Sequence, residues 1–365
     1  MQSIGVLYKR TAADGPPMAT FSHKGRGEET KMIPPDLPAE LKARLDAKLE
    51  GLSRHDAASR AALISKTYRD GGGSGAITSE ADALAYALAR MPATYAAVTA
   101  SLNALREATP EFAPKNLLDV GAGPGTATWA AAEAFSSLQD FTLLDANPAL
   151  RALALELSRD SMRLRDIRYQ RGEARTALAD AEQADLVVAS YMIGEIDEAE
   201  RRALADAMWA KTRGMLLIVE PGTPAGYGRI IALRAQLIAQ CAHVAAPCPH
   251  DGPCPLISPD WCHFTQRLPR SRAHKQVKGV ELPFEDEKFS YLALTRAPVA
   301  RHPARVLAQP VVTKIEVTAK LCTPDGLAIE KVPSRIKAPY ARARRWRWGD
   351  AVAITADRPG ERRDP

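Results

Sequence analysis

The sequence predicts an α/β protein: a mostly parallel sheet, preceded by a helical domain and followed by a cysteine-containing, β-rich extension. Three observations carry this expectation. Short apolar runs, LLDV (117–120), FTLLD (141–145), DLVVAS (185–190) and GMLLIVE (214–220), alternate with helical text such as TATWAAAEAF, PALRALALELSRD and EAERRALADAMWAKTR. Parallel strands need long crossovers, so strand alternating with helix implies a parallel sheet covered on both faces. Between Met32 and Pro114 the apolar spacing is helical, and after Glu220 the strand–helix rhythm breaks down.

Taken in order, residues 1–31 are polar and aperiodic, which predicts a disordered tail, and Met32 opens the first regular segment. A helical domain is expected over 32–113. Its first stretch, Pro38 to Lys66, sets leucines 37, 41, 45 and 49 along one face. GGGSG at 71–75 reads as a flexible break, and not as a phosphate loop, because no Gly-Lys-Ser/Thr follows. Ser79 and Asp82 form a capping pair for ADALAYALARM, and Pro92 is expected to open a separate helix, ATYAAVTASLNAL. The sheet-bearing core is placed at 114–245. A basic, β-rich region over 246–350 is expected to complete the sheet, with EKFSYLALTR (287–296) and VVTKIEVTAKLC (311–322) reading as strands; a tail is placed at 351–365, where AVAIT (351–355) reads as one more short strand.

The core opens on LLDVGAGPGTATWAA, where Asp119, Gly121, Gly123 and Gly125 lie at a strand-to-helix turn. Glycines let the backbone approach a ligand, and the helix behind offers its positive N-terminus. The G-x-G-x-G spacing and the acid before the first glycine favour S-adenosylmethionine over a nicotinamide cofactor. Asp145, 20 residues beyond Gly125, ends the next strand, where a carboxylate suits a ribose diol. Its plainer reading is a cap for the helix at Asn147-Pro148. Glu173, beside Gly172, is assigned near the adenine, and Ser190, ending the fourth strand, to the same pocket. Residues 114–220 thus resemble the seven-stranded, Rossmann-like S-adenosylmethionine-dependent methyltransferase core. No Asn/Asp-Pro-Pro-aromatic motif and no nucleophilic cysteine follows the fourth strand, where SYMIGEID stands. No catalytic residue is therefore assigned.

CPHDGPCPLISPDWC (248–262) gathers three of the five cysteines, Cys248, Cys254 and Cys262, in a segment too proline-rich for a helix or central strand. Three thiolates are one short of a closed sulfur site. Cys241 sits in helical text, where a buried, inert thiol is expected. Cys322 ends a strand whose turn could bring it back to the loop. An iron–sulfur cluster, a zinc site drawing on His250 or His263, and no metal at all each fit this pattern.

A net charge of +6 hides two acid-free basic blocks, 267–278 and 331–348, the second carrying Tyr340, Trp346 and Trp348. Cations hold phosphates and rings stack on unpaired bases, so RNA is the expected partner. The N-terminus has no apolar signal region, so the protein is expected in the cytoplasm, or its equivalent inside an organelle, away from membranes and with its thiols reduced. A monomer is expected.

The glycine turn, RMPATY (90–95), SYMIGEI, EPGTPAGY (220–227), CPHDGPCPL, DWCHF (261–265) and the basic C-terminus occur in one order. In this the sequence, from about Met32 to Asp350, resembles the methyltransferase-like proteins associated with the small ribosomal subunit of mitochondria, and their bacterial relatives. The resemblance implies an assembly factor that binds small-subunit rRNA. It also implies a [4Fe-4S] cluster on Cys248, Cys254, Cys262 and Cys322, leaving Cys241 free. The alternatives are an active rRNA methyltransferase and, third, a small-molecule or protein methyltransferase with a structural zinc.

Overall fold

The computed structural model describes residues 32–49, 53–300 and 304–353. Helices α1 (Ala39–Leu49), α2 (Arg54–Arg69) and α3 (Glu80–Ala108) come first. The capping box forms: Ser79 Oγ accepts from Asp82 N (3.2 Å) and Asp82 Oδ2 accepts from Ser79 N (3.0 Å). Arg60 joins Asp82 as well, and these partners hold its carboxyl down at about 2 despite partial burial. The break expected at Pro92 is absent, since α3 runs straight through it. Proline removes one helical hydrogen bond, but both halves of α3 bury their faces in one core, from Leu84 and Leu88 to Leu102 and Leu105. That burial outweighs the missing bond.

The sheet follows as β1 (Asn116–Val120), β2 (Asp140–Asp145), β3 (Arg168–Arg171), β4 (Ala184–Ser190) and β5 (Thr212–Pro221), all parallel. Between them lie α4 (Thr126–Ala134), α5 (Pro148–Ser158), α6 (Ala174–Asp180) and α7 (Glu198–Lys211). After α8 (Pro224–Ile238) come β6 (His243–Ala246), β7 (Phe264–Pro269), α9 (Arg272–Lys278) and β8 (Phe284–Thr295). Strand order is β3-β2-β1-β4-β5-β8-β6, with β8 antiparallel to β5 and to β6, and β7 also paired to β8. This is the Rossmann-like methyltransferase fold expected from the sequence. Helices α1–α5 cover one face and α6–α8 the other, each with its own continuous apolar core.

A second, five-stranded sheet holds β9 (Ala304–Val306), β10 (Val311–Val312), β11 (Glu316–Thr323), β12 (Gly326–Pro333) and β13 (Ala351–Val352), with α10 (Lys337–Ala343) against it. Cys241 departs from expectation. It lies beyond α8, exposed, at φ 63°, in the left-handed position that ends a helix. Ala242 N bonds Leu237 O (3.1 Å) and Cys241 N bonds Ile238 O (3.0 Å), the Schellman pattern that usually selects glycine.

A glycine-turn cleft and a four-cysteine cavity

The C-terminal ends of β1, β2 and β4 open a cleft of about 140 Å³. Gly121, Gly123 and Gly125 adopt φ of 67°, 54° and 80°. A side chain at Gly121 would meet Met192 at 2.7 Å, so only glycine lets β1 turn beneath the β4 loop. Asp145 bridges two turns: Oδ2 accepts from Gly123 N and Oδ1 from Asn147 N, both at 2.8 Å. Burial pushes its carboxyl up, against those two bonds. Tyr169 donates to Gly123 O (2.7 Å), fixing the turn from below.

Of the residues assigned from sequence, Gly121, Gly123, Asp145, Glu173 and Ser190 line this cleft. Asp119 and Gly125 lie behind it. Asp119 is fully buried, and Oδ2 accepts from Thr128 N (3.1 Å) and Thr128 Oγ1 (2.7 Å). Its Oδ1 has no partner among the described residues, and burial pushes the carboxyl up to about 7. Gly125 caps α4.

Sequence reading missed the opposite wall. Tyr68, Ser74, Tyr86 and Thr94 come from the helical layer, so the cleft is built by α2, α3 and the sheet together. The GGGSG segment, read as a flexible break, is fastened there: Ser74 N donates to Glu195 Oε2 (2.8 Å), and Asn147 Nδ2 donates to the carbonyls of Ser74 and Ile77 (both 2.9 Å). Glu195 in SYMIGEI was the available signal. Tyr191 beside it sits at φ 56°, a strained conformation for an aromatic residue, and donates to Glu287 Oε1 (2.9 Å).

Cys248, Cys254, Cys262 and Cys322 all line one cavity, although Cys322 arrives from the second sheet. Tyr227 OH lies 3.2 Å from Cys254 Sγ, and His250 Nε2 lies 3.7 Å from Cys322 Sγ. Cys241 and His263 are not among the lining residues; His263 stacks on Trp261 (5.0 Å) and meets Trp348 edge-on (4.7 Å).

Two buried guanidiniums share the cavity. Arg234 donates to His250 O (2.7 Å), and its Nε has no partner among the described residues. Arg305 donates to the carbonyls of Pro247 (2.9 Å) and Gly349 (2.8 Å). Neither has a carboxylate partner within 4.0 Å among the described residues, so the pocket gathers uncompensated positive charge. Burial, with repulsion from the neighbouring thiols, raises Cys248, Cys262 and Cys322, Cys262 well above its ordinary value and Cys322 to about 12. Free, these three sulfurs stay protonated. Among the described residues, no group of three or more Cys, His, Asp and Glu is drawn together tightly enough to hold a metal ion. The donor chemistry nevertheless fits an anionic tetrathiolate group, whose negative charge would answer both arginines.

The basic segments differ from expectation. Arg267 pairs with Asp286 (2.7 Å), and Arg270, His274 and Lys278 converge on Glu285, so acids on β8 partly neutralise the first block. Trp346 packs on the second sheet, and Trp348 donates to His263 O (2.8 Å); both rings are used internally. Among the described residues, no helix is long and apolar enough to cross a membrane.

A family model described as "Mitochondrial small ribosomal subunit Rsm22" matches residues 80–353. The human protein named "Ribosome assembly protein METTL17, mitochondrial" is 30% identical over 306 residues, covering 77% of this chain and 65% of its own length. "Rsm22-cox11 tandem protein 2, mitochondrial" of Schizosaccharomyces pombe is 25% identical over 323 residues, covering 74% of this chain and 43% of its own length. This chain thus spans less than two thirds of either relative. Among solved structures, a putative RNA methyltransferase from Pyrococcus horikoshii matches with a TM-score of 0.36 and 12% identity, over 55% of this chain and 81% of that one. A magnesium protoporphyrin IX methyltransferase from Synechocystis, solved with bound SAM, matches with a TM-score of 0.37 and 11% identity, over 67% and 98%.

These comparisons overturn the cytoplasmic expectation, because the family and these relatives are described as mitochondrial. Reduced thiols and an ordinary composition suit either compartment, so they could not separate the two. With a family match running from Glu80 to Ala353, this chain belongs to the Rsm22 family of the mitochondrial small ribosomal subunit.

Proposed function

We propose that this protein is an assembly factor of the small ribosomal subunit that grips rRNA, binds S-adenosylmethionine in the glycine-turn cleft and carries a [4Fe-4S] cluster. Family membership supports the ribosomal role, and the human relative is named for ribosome assembly. The observation that carries the cluster is the convergence on one cavity of four cysteines and two buried arginines that have no carboxylate within 4.0 Å among the described residues. Cys248, Cys254, Cys262 and Cys322 would hold the group. When bound, it supplies metal–thiolate bonds that fasten the proline-rich loop to β11.

The cofactor reading rests on three left-handed glycines and on Asp145 at the end of β2. Catalysis has less support. Of the three carboxylates lining the cleft, two are engaged, Glu195 by Ser74 N and Asp145 by two backbone amides.

The test is anaerobic purification followed by iron and sulfide analysis and co-sedimentation with small-subunit precursors. Wild type is expected to carry iron and sulfide in equal amounts and to sediment with the precursor. Cys322→Ser should lose the iron and most of the association, while Cys241→Ser keeps both. One equivalent of zinc without sulfide would replace the cluster by the zinc site. Iron-loaded protein that ignores the precursor would refute the ribosomal role.

A further inference from the structure

A second groove opens beside the glycine-turn cleft and shares Tyr68, Tyr86, Thr94, Tyr191 and Glu195 with it. It offers about 730 Å³ between α2, α3 and the ends of β4 and β5. Its lining carries Arg69, Arg90, Arg229 and Lys278 against only two carboxylates, Glu195 and Glu220. Three of the cations are already ion-paired: Arg90 with Glu287 (3.4 Å), Arg229 with Glu220 (2.7 Å) and Lys278 with Glu285 (2.5 Å). Arg69 is exposed. Tyr68 and Tyr86 stack at 6.0 Å, giving the groove an aromatic wall.

Glu220 is the unusual member. It is fully buried, and Oε2 accepts from Arg229 Nε, yet Oε1 has no hydrogen-bond partner among the described residues. A buried acceptor left unpaired is rare in a folded protein and calls for a donor from outside. Gly194 lies against the same pair. A Cβ there would stand 3.0 Å from Arg229 Nη2 and 3.3 Å from Glu220 Oε2, so the missing side chain keeps that approach open.

We propose that this groove binds a single unpaired nucleotide whose base presents an amino group to Glu220 and whose phosphate lies toward Arg69. Each part of the lining has one matching feature in such a ligand. A carboxylate reads an exocyclic amine, as it does on cytosine; aromatic walls accept a flat base; guanidiniums hold phosphate. The groove's contiguity with the glycine-turn cleft sets the base beside whatever that cleft holds. The rRNA-binding reading bears on this proposal only as the source of the nucleotide.

Calorimetric titration of the full chain with CMP, UMP and a short oligocytidylate tests it. CMP should bind about tenfold or more tighter than UMP, because uracil turns a carbonyl toward the carboxylate. Glu220→Gln should abolish that ratio, since an amide can serve either base. Arg69→Ala should weaken both nucleotides equally and leave the ratio intact. Tighter binding of the oligocytidylate assigns the site to an RNA strand, and equal binding assigns it to a free nucleotide. Absence of CMP binding, or an unchanged ratio in Glu220→Gln, overturns the proposal. If Glu220→Gln fails to fold, Gly194→Ala serves instead, and it should lower CMP affinity at least tenfold. Precursor co-sedimentation reports the ribosomal role separately, so one reading can fail while the other stands.

Discussion

At the scale of single residues, the acids at strand ends matter more through burial than through exposure. Asp119 shows this. It was read from sequence as a group meeting the ligand, yet it is sealed behind the glycine turn, where Thr128 holds one oxygen and the other is unpaired. Its carboxyl is raised to about 7, above the value of an unfolded chain, so the folded state takes up a proton that the unfolded state releases. The stability this lends is present at low pH and is lost as pH rises through the folded value. Between about pH 4 and pH 7 the single group should steepen the loss toward about 1.4 kcal/mol per pH unit. Asp119→Asn keeps an acceptor for Thr128 and cannot ionise. Thermal melts across that window are expected to fall with pH in wild type and to flatten in the variant; parallel curves would remove Asp119 from the account.

At the scale of elements, what could be read in advance was whatever carries a period. The strands β1, β2, β4 and β5 were legible because parallel strands buried on both faces leave apolar runs, as in LLDV and GMLLIVE, whereas β3 (RYQR) is largely exposed and carries no such run. The Ser79–Asp82 box was legible because capping is local. Three features were not. Pro92 signals a stop, but tertiary burial along α3 overrode it. The acids that neutralise Arg267 and Arg270 stand on β8, remote in sequence, and no local pattern foretells that pairing. The glycine run at 71–75 reads as slack, yet it works as a close fit: a Cβ on Gly73 would lie 2.4 Å from Glu195 Oε2. The fit therefore yields a specific expectation. Gly73→Ala should push Glu195 off Ser74 N and open the cleft wall, weakening S-adenosylhomocysteine binding about tenfold, or roughly 1.4 kcal/mol. Gly75→Ala is the control, since nothing lies within 4 Å of its Cβ position. Equal affinities in the two variants would show the contact to be incidental.

At the scale of the whole molecule, α8 is a partition between the two sites. Tyr227, Ile230 and Arg234 face the cysteine cavity, while Ala225 and Arg229 face the groove beside the glycine-turn cleft. The loop before α8 is tied to the cysteine segment as well, with Trp261 Nε1 donating to Gly222 O (3.1 Å), and β8 holds the same segment through Ser290 Oγ donating to Cys262 O (2.8 Å). Gly222 N in turn bonds Lys288 O (2.9 Å) on β8. Whatever fixes the cysteine segment must therefore also restrain one wall of the groove, because a packed helix moves as a unit. Without metal bonds the proline-rich loop has little core of its own, so it should open locally at low cost. The expected outcome is measurable by hydrogen exchange on metal-loaded and chelator-stripped protein. Protection should fall at 248–262 and, through α8, at 220–230, by about tenfold or more, while α5 on the far side of the sheet stays unchanged. Loss confined to 248–262 would mean that the cysteine site braces only itself. A fall spread evenly over α5 too would indicate global destabilisation, and the partition would then transmit nothing specific.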